Sequence, residues 1–174
     1  ELDGKPILAH VVAAALASRA GPVIVVTGNR DHEARTALAG LDVEFVYNAE
    51  HAEGLSTSLR AGIAAVPEDA DAAIVLLGDM PRVSAATIDR LIEAFDPEAG
   101  RTIVVPTYRG KRGNPVLWAR RYFPDLAAIR GDTGARHLIG ENRDGVVEVE
   151  FDESVALDVD TPEALASLGG RFAD

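Results

Sequence analysis

The sequence contains no cysteine, which excludes disulfides, thiolate zinc sites and cysteine nucleophiles and fits a reducing compartment. It has no apolar run of the length that spans a bilayer. Nor has it the basic, apolar and small-residue order of a signal peptide, so a cytoplasmic protein is expected. Positive charge is scarce: 17 Lys and Arg stand against 28 Asp and Glu, a formal charge of -11, which repels nucleic-acid backbones and anionic membrane surfaces. Neither is an expected partner. An anionic small molecule is compatible with this charge wherever a divalent cation or a ring of backbone N–H groups supplies a local positive field. Walker-loop and nucleophile-elbow patterns are also missing, and the 4 histidines sit in no informative spacing. Without repeats, low-complexity tracts or a linker, a length of 174 residues at 47% hydrophobic content suits one domain over 1–174.

What is present alternates in type. Pro6 suits the first turn of a helix whose apolar residues Ile7, Leu8, Val11, Val12, Ala15 and Leu16 recur at helical spacing until Gly21-Pro22. A β-branched run over 23–26 reads as a strand, and Asp31 is placed to cap a helix reaching Gly40. Val43, Phe45 and Tyr47 make another strand, and a polar loop over 48–54 leads into a helix carrying Leu59, Ile63 and Val66. Consecutive apolar residues over 72–77 predict a central strand covered on both faces, followed by a helix capped by Ser84 with Ile88, Leu91, Ile92 and Phe95 on one side.

Beyond Gly100 the rhythm loosens. A strand over 102–106, a glycine-rich basic loop over 108–115 and a returning strand over 116–118 suggest an antiparallel excursion. Short helices over 120–129 and 133–139, a strand over 146–151 and a last helix over 162–168 complete the chain. Repeated βαβ units imply an α/β sandwich of three layers, with a mainly parallel, mixed sheet and helices on both faces. Ligands in such sheets sit beyond the carboxyl ends of the strands.

Four segments there could carry chemistry. Gly78-Asp79-Met80-Pro81 follows the apolar strand, so a carboxylate stands at the sheet's carboxyl edge beside a glycine that leaves room for a ligand. An aspartate there can hold Mg²⁺, which takes one or two protein carboxylates and fills its other positions with water and phosphates; the plainer reading is a turn aspartate. In Asp158-Val159-Asp160-Thr161-Pro162 an extended backbone points Asp158 and Asp160 to one side, to complete a metal site, or else Asp160 or Thr161 caps the last helix. The segment from Asn48 to Ser58 ends at a helix N-terminus rich in small hydroxyl residues, which either binds phosphates or base edges through N–H groups or is an ordinary capped end. Arg109-Gly110-Lys111-Arg112-Gly113-Asn114-Pro115 concentrates positive charge, for capture of an anionic acceptor or as a solvated hairpin tip.

In this order the segments resemble the molybdenum cofactor cytidylyltransferases and the wider group of molybdopterin nucleotidyltransferases, nearly end to end. Leu2-Asp3-Gly4-Lys5-Pro6 resembles the segment after that family's first signature, and Glu53-Gly54-Leu55-Ser56-Thr57-Ser58-Leu59 its nucleotide-site helix start. Gly78-Asp79-Met80-Pro81 resembles its metal motif, Gly113-Asn114-Pro115 its glycine-polar-proline turn, Gly131-Asp132-Thr133-Gly134-Ala135-Arg136 a later loop, and 158–162 its closing acidic motif.

The resemblance implies a Rossmann-like sandwich of the nucleotide-diphosphosugar transferase type. In it Asp79 binds Mg²⁺ and the triphosphate, with Asp160 or Asp158 assisting. Gly54, Ser56 and Ser58, with Gly28 and Asn48, contact the nucleotide, while Arg112, Gly113 and Asn114 lie toward the pterin. One departure matters: the family's opening strand and glycine-rich loop, Leu-Ala-Ala-Gly-x-Ser-x-Arg-Met-Gly followed by a Lys, is absent. Glu1 to Pro6 reads as the middle of a loop, so residues upstream are expected, and a chain that begins at Glu1 is expected to have little activity.

The implied reaction is transfer of CMP from CTP to molybdopterin with release of pyrophosphate. Rival readings are guanylyl or other nucleotidyl transfer to a different phosphorylated acceptor and a non-catalytic module delivering cofactor to a molybdenum hydroxylase. A receiver domain phosphorylated on Asp79 explains neither the closing acidic motif nor the length.

Overall fold

The computed structural model describes residues 1–131, 134–159 and 161–170. Two sheets organise it. In the first, β1 (Ile24–Thr27) and β2 (Glu44–Tyr47) pair in parallel, so Thr27 and Tyr47 finish side by side. The second contains β3 (Ala72–Val75), β4 (Ile103–Tyr108), β5 (Lys111–Arg112), β6 (Val116–Ala119) and β7 (Val146–Glu150). Here β6 is the expected returning strand, antiparallel to both β3 and β4 and lying between them, while β7 runs parallel along the other side of β4. It follows that β3, β4 and β7 all point the same way, and their carboxyl ends share one edge.

Alternation along the strands divides the core into two layers, because successive side chains leave a strand on opposite faces. Ile103, Val105, Val116 and Trp118 pack on one face with Ile63 of α3 (Leu55–Ala65) and Leu126 of α5 (Phe123–Ala128). Val104 and Leu117 pack on the other with Leu91 of α4 (Ala85–Ala94). Complete burial of such a side chain is worth about 1.5–3 kcal/mol relative to exposure. Helix α1 (Ile7–Leu16) ties the sheets together: Val12 packs with Val25 of β1, and Ala15 packs with Met80, Ile88 and the half-buried Ile74 of β3.

Two expectations need correction. The apolar run predicted a central strand, yet β3 pairs only with β6 among the described strands, and all four of its residues are half-buried rather than buried. With one edge unpaired, its side chains keep contact with solvent. Asp31 does not cap α2 (Asp31–Ala37); Arg30 occupies the cap position without a side-chain bond. The Asp31 carboxylate accepts instead from the Thr27 hydroxyl (2.5 Å) and from Arg35 Nε (2.9 Å), and these bonds, the Thr27 one foremost, hold its carboxyl below the usual aspartate range.

Ser84 caps α4 as expected, accepting from Thr87 N at 3.1 Å. The remaining helices are α6 (Arg136–Glu141) and α7 (Pro162–Ser167), the latter capped by Thr161. No helix among the described residues is long and apolar enough to cross a membrane.

The end of β7 is clamped to the β4–β5 hairpin by one carboxylate. Glu150 accepts from the Thr107 hydroxyl (2.5 Å) and from Arg109 N (2.7 Å), which lowers its pKa from 4.5, the Thr107 bond contributing most. The ionised form is the one bonded, so this stabilisation is complete above pH 4.5 and is lost as pH falls through the depressed folded value. Glu150→Gln is expected to lower the urea midpoint at neutral pH, with the gap to wild type closing on acidification; a gap independent of pH would contradict the clamp. Ser84→Ala is expected to cost about 1 kcal/mol in urea denaturation, the usual value of an N-cap hydroxyl.

Candidate active site

Beyond the carboxyl ends of β1 and β2 the polar segments interlock. Asn48, next after β2, is buried and donates its backbone N–H to Thr27 O at 2.8 Å. Its side-chain amide donates to Thr57 Oγ (2.8 Å) and Ser58 Oγ (3.0 Å), and its Oδ1 accepts from Glu50 N. Asn48 therefore organises the start of α3, and Ser58 is bonded to it. Thr57, which sequence reasoning passed over, is the hub: its hydroxyl also lies 2.9 Å from Gly54 O. Its signal was the unbroken hydroxyl run Ser56-Thr57-Ser58, which a helix splits between faces.

Ser56 differs from its neighbours. It is 2% exposed, and its hydroxyl has no hydrogen-bond partner among the described residues. Gly54 precedes it as the cap of α3, with φ 112° and no capping side chain; of the first N–H groups of this eleven-residue helix, Ser56 N donates to Gly131 O (3.3 Å) and Thr57 N to Gly54 O (3.2 Å). An orphaned buried hydroxyl at a helix N-terminus is a group built to meet something. Gly28 has a packing role, since a Cβ there would meet His51 Cβ at 2.6 Å.

Beyond β3 stands Asp79, half-buried, with Oδ1 withdrawn from solvent. Its carbonyl accepts from Val159 N at 2.9 Å. That bond brings the closing acidic motif to the metal motif, and Asp158, exposed, flanks it directly. Thr161, one of the two expected caps, caps α7 by accepting from Ala164 N at 3.1 Å. Asp160 lies outside the described residues. The donor set of Asp79 and Asp158 is all oxygen, which fits a hard cation such as Mg²⁺. No group of three or more His, Asp or Glu able to hold a metal occurs among the described residues. Leu8 of α1 links the two regions: a Cβ on Gly78 would lie 3.3 Å from Leu8 Cδ1, and Leu8 packs in the cluster around Val25.

The basic hairpin stands apart from this pair. Gly113 N donates to Pro106 O and Asn114 N to Val155 O, and a Cβ on Gly113 would lie 2.0 Å from Val155 O. Only glycine permits that approach. Arg112 is exposed, and its Nε bonds Glu148 of β7 at 2.7 Å. The turn thus pins the 153–155 segment beneath the acidic motif, and Arg112 is engaged across the sheet.

Comparison with known proteins follows this geometry. Over 93 residues the chain is 34% identical to the bifunctional protein GlmU of Burkholderia ambifaria (strain MC40-6), covering 53% of this chain and 20% of that protein, so it spans about a fifth of this curated relative. Rv0371c from Mycobacterium tuberculosis, in its complex with manganese, superposes with a TM-score of 0.80 at 30% identity, covering 93% of this chain and 84% of that one. A nucleotidyl transferase from Methanothermobacter thermautotrophicus (Mth528) gives a TM-score of 0.81 at 27% identity over 97% and 81% of the two chains. These likenesses and the strand arrangement make the fold that of the α/β nucleotidyltransferases. A family model described as MobA-like NTP transferase domain matches residues 1–146, and the chain belongs to that family of nucleotidyltransferases.

Proposed function

We propose that this nucleotidyltransferase passes CMP from CTP to the terminal phosphate of a molybdopterin-type acceptor, releasing pyrophosphate, with Mg²⁺ held by Asp79 and Asp158 and, in the closing motif, Asp160. The observation that carries this reading is the Val159 N to Asp79 O bond, which joins two acidic motifs at one point of the sheet edge. The manganese complex of the mycobacterial relative supports a divalent cation. The choice of CTP and of molybdopterin rests on the segments around Gly113-Asn114-Pro115 and Asp158.

The acceptor's phosphate oxygen attacks the α-phosphorus of the nucleotide, a P–O bond forms, and the bond to the β-phosphate oxygen breaks with its electron pair leaving on pyrophosphate. The attacking group is already an anion, so no strong base is required, which accords with a site built of carboxylates and hydroxyls. Positioning and charge neutralisation do the rest. The chemistry supplied by Mg²⁺ is neutralisation of the charge that builds on the phosphates. The α3 N-terminus, with Gly54 as its bare cap and Ser56 Oγ unsatisfied, meets phosphate oxygens or a base edge with preformed donors. Asn48, Thr57 and Ser58 keep that terminus rigid, and Gly28 seats His51 against it.

Two outcomes test this. Pyrophosphate release is to be followed with Mg²⁺, molybdopterin and either CTP or GTP. Asp79→Asn is expected to cut the rate roughly a hundredfold or more while keeping the thermal midpoint near wild type; a near-normal rate would contradict the metal assignment, and preference for GTP would move the reading to guanylyl transfer. Ser56→Ala is expected to weaken CTP binding by about 1 kcal/mol, roughly fivefold, while leaving the free protein as stable as wild type or more so, because it removes an unsatisfied buried group. Unchanged CTP affinity would remove Ser56 from the site.

A further inference from the structure

Main chain meets main chain where the turn between β5 and β6 reaches the segment after β7. A Cβ on Gly113 would lie 2.0 Å from Val155 O, 2.8 Å from Val155 C and 3.3 Å from Val155 Cγ2. All three atoms belong to one residue, and two of them are backbone. Asn114 N donates to the same carbonyl at 2.9 Å, so the turn both abuts Val155 and bonds it.

The two sides of this contact are held from behind. Gly113 N donates at 2.8 Å to Pro106 O of β4, and Pro106 is fully buried. Val155 is fully buried as well, and it ends the short 3-10 turn Glu153–Val155, whose start Asp152 fixes by accepting from Ser154 N at 3.0 Å. Non-bonded heavy atoms pack at about 3.5–4.0 Å, so a methyl group at position 113 would drive Val155 away by roughly 1.5 Å. Only residues 156–158 separate Val155 from Val159, whose N–H bonds Asp79 O at 2.9 Å, and Asp158 is the last of them. Successive Cα atoms are fixed at about 3.8 Å, so a shift at Val155 reaches Asp158 with little chain to absorb it.

We infer that Gly113 is a positioning residue for the divalent cation: its missing side chain, acting through Val155, sets where Asp158 stands relative to Asp79. This rests on the metal assignment made above. Gly113 does not touch the cation in this role. It acts through the main chain, in the way that groups behind a ligand tune its affinity for a metal. The Asn114 side chain takes no part, because the bond to Val155 comes from the backbone N–H.

The test is titration of the full chain with Mn²⁺ alone, followed by loss of the free ion's paramagnetic resonance signal, at a temperature well below the thermal midpoint of every variant. Gly113→Ala, with Asp79 and Asp158 intact, is expected to weaken Mn²⁺ binding about tenfold, as loss of a ligand's support does. Asn114→Ala is expected to bind Mn²⁺ as wild type does. Wild-type affinity in folded Gly113→Ala would overturn the inference, and so would an equal loss in Asn114→Ala, which would trace the effect to a side chain. Should Gly113→Ala not fold, Val155→Ala carries the test: it empties the seat behind the pinned carbonyl and is expected to weaken Mn²⁺ several-fold, and wild-type affinity there overturns the inference. Failure of the readings beneath it is distinct. Mn²⁺ affinity that Asp79→Asn leaves unchanged removes the metal assignment and the positioning role together. Affinity that depends on both Asp79 and Gly113, in a protein that releases no pyrophosphate from CTP or GTP, keeps the positioning role and removes the transfer.

Discussion

The bond from Val159 N to Asp79 O joins the loop after β3 to the segment after β7, and it brings two acidic stretches of the sequence to one point of the sheet edge. It is a backbone bond, so it depends on where the two segments run and not on their side chains. Asp79 reaches its end of the bond because β3 ends there, and Val159 because the loop after β7 is pinned by Gly113 and Asn114 against Val155. Each of those anchors lies in a loop or turn attached to the sheet of β3, β6, β4 and β7. A change in the order of these strands would separate the acidic motifs.

The site divides by chemistry along the sheet edge. At the ends of β1 and β2, neutral donors converge: helix N–H groups, an unsatisfied hydroxyl and an amide spent on keeping them in place. At the end of β3 stand carboxylates, suited to a cation between them and a triphosphate. Past the ends of β4 and β7 come a guanidinium, an aromatic ring and two more carboxylates. A protein of formal charge -11 can handle two anionic substrates this way, because local donors and a bound cation, and not the net charge, set the potential at the phosphates.

How much of this was legible in the sequence follows from how local each feature is. The Ser84 cap, the strand before Gly78-Asp79 and the returning strand at 116–118 depend on neighbouring residues, and the fold bears them out. Asp31 was misread because its cap pattern was local while its partners, Thr27 and Arg35, used the carboxylate differently. The pairing of Arg112 with Glu148 was not legible, because only the fold brings β7 beside the β4–β5 hairpin. β3 reads as central because its composition is that of a doubly covered strand, whereas pairing is a property of the sheet. The contact of Gly113 with Val155 was not legible either, since it exists only where the β5–β6 turn meets the segment after β7.

The most direct measurement is the fate of the α-phosphorus. With CTP labelled at that atom, Mg²⁺, molybdopterin and the protein, the label should appear in a conjugate of CMP and the acceptor, in equal amount to the pyrophosphate released. Label recovered as free CMP, or left in CTP, would mean that no nucleotidyl group reaches this acceptor.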